Sequence, residues 1–298
     1  MRRTSIILIF CAIFFAAICG LRLLAQTSAT AGPERGTLVL EGGGTLLVSG
    51  PVKRTAVIQK FVQLAGGSGA RIVVIPTAFT DVTPETLEQV RVRAQEIMGV
   101  DHVTVMHTRD RKQADQEEFV APLRQATGVW IPGGKDEYLI DAYVGTRVEI
   151  EIKALLARGG VVGGTSAGAA IQGSLLIEGL VVDSEGKVVD SPVRQNGKTL
   201  RVDATPPGLG LLTNSFVEPH WNTRNRVDLT PVLAGRQGLL GIAIDEDTAA
   251  VIQGNLLEVF GDGHVAVFDG KVHGDKPYYY LSPGDRFDLH TRSSIPVN

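Results

Sequence analysis

Val161-Val162-Gly163-Gly164-Thr165-Ser166-Ala167-Gly168-Ala169-Ala170 writes a β-branched strand end, a Gly-x-Ser-x-Gly turn and an alanine-rich helix start into one short stretch. A serine at such a strand-to-helix turn stands above the sheet at a helix N-terminus, where backbone N–H groups can hold an oxyanion. Gly164 and Gly168 permit the sharp turn and the close packing of the new helix. Ser166 is therefore the candidate nucleophile, and the strand ending on it asks for neighbours.

The flanking sequence supplies them by alternation. Strands are expected at 37–40, 71–76, 102–106 and 128–132, and helices at 52–64, 84–98 and 114–126, from period-two and period-3.6 spacing of apolar residues. Such alternation predicts a mainly parallel sheet covered by helices on both faces, with a site outside the carboxyl ends of the strands. From Leu239 onward short apolar runs are divided by Gly254-Asn255, Gly261-Asp262-Gly263 and Asp269-Gly270, which predicts antiparallel hairpins. Gly42-Gly43-Gly44 lacks the lysine and serine of a phosphate loop and is read as close backbone packing near the site.

At 298 residues with 44% hydrophobic and 20% charged content, the chain can bury the core of one large α/β domain. Met1-Arg2-Arg3, an apolar run over 6–18, and small residues around Ala25 and Ala31 have the layout of a secretory signal peptide. The expected organisation is a signal peptide at 1–25, a linker at 26–36 and one domain at 37–298. A cut before Gly32 and an uncleaved anchor are the alternatives.

Either cut puts the protein outside the cytoplasm, in the periplasm or secreted. Both cysteines, Cys11 and Cys19, would leave with the leader, which excludes disulfides, a cysteine nucleophile and thiolate metal sites from the mature chain. So would three arginines and no acid, leaving 26 basic against 32 acidic side chains, a balance that gives nucleic-acid binding no support.

A serine nucleophile needs a base, and the base an orienting carboxylate. Of the six histidines, His102 and His107 flank an early strand, and His264, His273 and His290 lie in the hairpin tail. His220 sits in the polar stretch Val217-Glu218-Pro219-His220-Trp221-Asn222-Thr223-Arg224-Asn225-Arg226. The residues alone leave the choice among them open, and they show no metal-ligand spacing such as His-Glu-x-x-His.

The run Gly163–Ala170 resembles the serine elbow of the cyanophycinase and dipeptidase E group of peptidases. Gly208-Leu209-Gly210-Leu211-Leu212, then His220 with Arg224 and Arg226, then Gly241-Ile242-Ala243-Ile244-Asp245-Glu246-Asp247-Thr248-Ala249 are similar to cyanophycinase-like peptidases in order and rough spacing. The resemblance implies a three-layer α/β/α sandwich like that of class I glutamine amidotransferases, here with C-terminal β-hairpins. It implies His220 as base, Glu246 as acid, and oxyanion donors at the backbone N–H groups of Gly134 and Ala167. The dipeptidase E branch places an aspartate between serine and histidine, which makes Asp183 a second candidate acid.

Two departures bear on substrate. Cyanophycinases typically carry Gly-Gly-Asp-Gln where this chain has Gly133-Gly134-Lys135-Asp136, and Asp-Gln-His where it has Glu218-Pro219-His220. Lys135 thus puts a cation beside the expected oxyanion hole, unless it merely pairs with Asp136 or Glu137 at the surface. Lys135, Asp136, Glu218, Arg224 and Arg226 are the candidate substrate-binding residues, the arginines as holders of a substrate carboxylate.

The expected function is an exported serine peptidase acting on small peptides or β-aspartyl linkages, with no metal or cofactor. The alternatives are a serine esterase or amidase on the same triad, and a catalytically silent binding protein. A peptide is the expected partner, nucleic acid is not, the membrane enters only through an uncleaved N-terminal segment, and a homodimer is left open.

Overall fold

A computed structural model describes residues 30–48, 50, 52–177, 181–182, 199–200, 206–224 and 226–296. The expected leader at 1–25 with its two cysteines, and Asp183, lie outside the described residues. Five parallel strands form the centre of the molecule: β1 (Thr37–Glu41), β2 (Arg71–Val74), β3 (His102–Val105), β4 (Gly128–Ile131) and β5 (Val161–Thr165). From β1 the chain crosses to β2 and the edge strand β3, then returns through β4 to β5, which pairs with β1 in register from Thr37↔Val161 to Glu41↔Thr165. The return brings the carboxyl ends of β1 and β5 side by side.

Alternation along these strands sorts two apolar layers. Val39, Ile72, Val74, Val103 and Trp130 face one side, where α1 (Ala56–Leu64) and α2 (Pro84–Met98) cover them with Ile58, Phe61, Val90 and Ile97. Leu38, Leu40, Val73, Val129, Ile131 and Val162 face the other. There they meet α3 (Arg111–Ala114), α4 (Glu117–Gln125), α5 (Asp136–Tyr143) and α6 (Arg147–Ala157) through Ala114, Leu123, Leu139 and Ile152. Helix starts follow the expected chemistry: Thr55 and Thr83 accept from the N–H groups of Ile58 and Thr86, caps worth about 1 kcal/mol each.

The helix expected over 114–126 is two helices. Asp110 caps a first turn, and Gln116, extended at φ −78° and ψ 139°, interrupts the spiral before α4 begins. The cap at Asp110 starts α3 ahead of the expected helix, whereas Gln116 at the break makes no side-chain cap.

After α7 (Ala167–Ala170), the two-residue strands β6 (Val181–Val182) and β7 (Thr199–Leu200) pair antiparallel, and β8 (Ser215–Glu218) opens a second sheet. In that sheet β8 runs parallel to β9 (Leu240–Ile244), which lies against β12 (Val265–Phe268) and then β13 (Tyr279–Leu281). Between β8 and β9 lies the short helix α8 (Thr230–Leu233).

The antiparallel strands β10 (Thr248–Gln253), β11 (Leu256–Gly261), β14 (Arg286–Asp288) and β15 (Ser293–Ile295) extend the first sheet beyond β1. The Gly254-Asn255 hairpin is formed as expected, between Gln253 and Leu256. The expected hairpin at Gly261-Asp262-Gly263 is not formed, because the turn there, like that between β9 and β10, joins strands in different sheets. Ala31–Asn298 form one compact unit, and among the described residues no helix is long and apolar enough to cross a membrane.

Candidate active site

Four strand ends converge. β5 delivers Ser166, β8 delivers His220 through Glu218 and Pro219, the β9–β10 turn delivers Glu246, and β1 runs out into Gly42-Gly43-Gly44. Ser166 has φ 56° and ψ −122°, a backbone conformation that costs an L-residue about 1–3 kcal/mol. Its neighbours hold it there: the Ser166 N–H donates to Glu41 O at 3.1 Å, and its carbonyl accepts from Ala169 and Ala170, each at 2.9 Å. An added Cβ on Gly168 would stand 1.8 Å from Ile131 O, so the helix after the elbow reaches the sheet only because that residue is glycine.

The His220 ring is bonded at both nitrogens. Nδ1 lies 2.8 Å from Glu246 Oε1, and Nε2 lies 2.8 Å from Ser166 Oγ. An ionised Glu246 accepts only, so Nδ1 carries the proton, and Nε2 then offers its lone pair to the Ser166 hydroxyl. His220 too has a positive φ, 57°, fixed by its N–H donating to Gly42 O at 2.8 Å and its carbonyl accepting from Arg224 at 2.9 Å. Gly43 packs flat against the ring: a Cβ there would come within 2.6 Å of His220 Nδ1 and 3.0 Å of Glu246 Cγ. The triple glycine thus serves close packing beside the base.

The segment 220–226 and the Glu246 turn are stitched together. The Trp221 N–H donates to Ile244 O at 3.0 Å, and the Glu246 N–H donates to Asn222 Oδ1 at 3.0 Å. Arg226 Nη2 donates to Asp245 Oδ2 at 2.7 Å. Asn222 and Asp245 carry no signal in the sequence beyond their position beside the expected base and acid, since their role depends on two loops meeting.

The Gly133-Gly134 turn after β4 runs against Ser166, for a Cβ on Gly133 would lie 2.8 Å from Ser166 Cβ. Gly134 itself has φ 143°, and Lys135 N–H next to it donates to Ala78 O at 2.8 Å. Ala167 is buried as the first residue of α7, where a backbone N–H has no partner within its helix. Gly133, which precedes Gly134, thus packs on Ser166, and Ala167 follows Ser166 in the chain.

Of the candidate substrate-binding side chains, Glu218 and Arg224 pair with each other, and Lys135 and Arg226 with other residues. Lys135, half exposed, pairs with Glu137 at 3.6 Å and lies 5.3 Å from the centre of the Tyr138 ring. Asp136 opens α5. Glu218 is buried and accepts from Arg224 Nη1 at 3.1 Å. Arg226 is held by Asp245, which is 1% exposed. The two arginines thus brace the His220 segment, with Arg224 30% and Arg226 42% exposed.

The chain is similar to known proteins. A model of Peptidase family S51 matches residues 38–260. The chain is 33% identical over 261 residues to a cyanophycinase of Nostoc sp., covering 81% of this chain and 83% of that one. It is 31% identical over 259 residues to a cyanophycinase of Geminocystis herdmanii, covering 86% and 89%. A crystal structure of a peptidase from an acI-B1 Actinobacterium superposes with a TM-score of 0.63 at 23% identity, covering 86% of this chain and 98% of that one. That structural likeness concerns the fold: an α/β sandwich on a mainly parallel sheet.

Proposed function

The chain belongs to peptidase family S51 and is a serine-type peptidase, and from that premise we propose that it works outside the cytoplasm, cleaving short peptides or β-aspartyl linkages through a Ser166–His220–Glu246 triad. One observation carries the triad: a single imidazole bonded to a serine hydroxyl at one nitrogen and a carboxylate at the other, each at 2.8 Å. Ser166 Oγ attacks the scissile carbonyl while His220 Nε2 takes its proton. The oxyanion forms toward the N–H groups of Gly134 and Ala167. His220 then returns the proton to the leaving amine, the acyl–Ser166 ester remains, and water activated by the same imidazole releases the acid.

Glu246 keeps the proton on Nδ1 and stabilises the imidazolium that forms in each half-reaction. Export rests on the charged, apolar and small-residue order of the first 25 residues. Purified protein incubated with cyanophycin, β-aspartyl dipeptides and simple esters tests the substrate class, with Ser166→Ala as control. Turnover of β-aspartyl dipeptides lost in the control is the expected result. Turnover of esters alone would make the enzyme an esterase in practice.

A further inference from the structure

Glu41 is the last residue of β1, fully buried, and the nucleophile's backbone N–H rests on its carbonyl at 3.1 Å. Its side chain belongs to the α1 face of the sheet, above the layer of Val39, Phe61 and Trp130. A hydroxyl relay descends to it. The Ile58 N–H donates to Thr55 Oγ1, Thr55 lies 3.4 Å from Thr45 Oγ1, and Thr45 donates to Glu41 Oε1 at 2.8 Å. With its hydrogen committed to Glu41, Thr45 can only accept from Thr55, so the relay runs one way and ends on Oε1.

The other oxygen, Oε2, is buried without a hydrogen-bond partner among the described residues, and so is Thr165 Oγ1. The two residues are register partners across β1 and β5, close enough for the hydroxyl to act on the carboxyl. Thr165 immediately precedes Ser166.

We propose that Glu41 is a positioning residue of the Ser166 elbow that works in its protonated form, accepting from Thr45 at Oε1 and donating from Oε2 to Thr165. The proposal rests on the reading of Ser166 as nucleophile. The surroundings favour the proton. The flanking strands present Thr165 and Ala249, and the stretch before α1 presents Thr45 and Thr55. The charged groups around this end of β1 are Asp247, its partner Lys53 at 3.1 Å, and the His220–Glu246 pair packed on Gly43. Burial pushes the Glu41 carboxyl up from an ordinary 4.5 to about 7, against the downward pull of the Thr165 and Thr45 hydroxyls and with the Asp247 charge adding to the push. Losing the proton leaves a buried anion directly under the elbow and beside Asp247, and the elbow gives way before the charge does.

The test is the rate at which a fluorophosphonate labels Ser166 in the full chain between about pH 6 and about pH 9. The wild-type rate is expected to fall roughly fivefold or more across the upper half of that range. Glu41→Gln, which copies the protonated carboxyl in shape and in its donor, is expected to hold its rate. Profiles of the same shape in both proteins overturn the proposal. Infrared spectroscopy of the wild-type protein decides independently of labelling and of how the variant folds: a buried carboxylic-acid C=O band present near neutral pH and bleached above it is expected, and its absence overturns the proposal. Should neither protein be labelled at any pH, the reading of Ser166 fails, and the infrared band still decides for Glu41.

Discussion

Ser166 holds a costly backbone conformation only because Glu41 O, Ala169 and Ala170 take up its polar groups. The side chain contributes one hydrogen bond, to His220, and alanine fits the same space. Ser166→Ala should therefore lower kcat by about 10⁴-fold or more while the melting temperature stays where it was, measured by turnover and by thermal unfolding. Undiminished turnover in that variant refutes the covalent route.

Lys135 calls for a smaller number. Its partner Glu137 at 3.6 Å and its half exposure screen the charge that it places beside Gly134. Lys135→Asp should raise activity on arginine-bearing substrates relative to acidic ones by about two- to fivefold, read as a ratio of kcat/KM values. A ratio that does not move would show that the side chain lies outside the substrate's reach.

Loops, more than strands, set the precision of the site. His220 and Glu246 come from the ends of neighbouring parallel strands, β8 and β9, and the ties from Trp221, Asn222 and Arg226 decide how the two meet. Asn222→Ala removes the acceptor for the Glu246 N–H and leaves the His220 and Glu246 side chains themselves unchanged. We expect kcat to fall about tenfold with KM little changed, since the lost contact aims the base and touches no substrate. Arg226→Met leaves Asp245 buried with one partner fewer, at a cost of about 1–3 kcal/mol and several degrees in melting temperature.

Legibility in the sequence divides along the same line. The elbow is readable because strand end, turn and helix start are contiguous, and the sheet is readable because its strands and helices alternate with clear periods. The break between α3 and α4 is hidden by an apolar pattern that continues across it, with no side-chain cap at Gln116 to mark it. Asn222, Asp245 and Glu41 are hidden for a different reason: each acts on a residue far away in the chain, and no local pattern records that meeting.

At the scale of the molecule, the nine-stranded sheet supplies β1 and β5 and the four-stranded sheet β8 and β9 to the same site, where Glu41 is a fully buried carboxyl whose carbonyl holds the elbow. Its effect on global stability has a definite sign. In the unfolded chain the group releases its proton near 4.5, whereas in the folded protein it keeps it to about 7. Between those values the folded state binds more protons than the unfolded state, so stability falls as pH rises through the window and is level above it.

The fall attributable to Glu41 is roughly 3 kcal/mol as an upper figure, because each tenfold change in proton affinity corresponds to about 1.4 kcal/mol. Glu41→Gln cannot ionise and carries no such slope, while its amide can still accept from Thr45 and donate to Thr165. Denaturant unfolding at a series of pH values should show the two proteins converging toward the acid end of the window and the variant ahead by up to that amount at its neutral end. Parallel curves across the window would mean that Glu41 is already ionised in the folded protein, and the elbow would then rest on an anion that Thr45 and Thr165 together keep solvated.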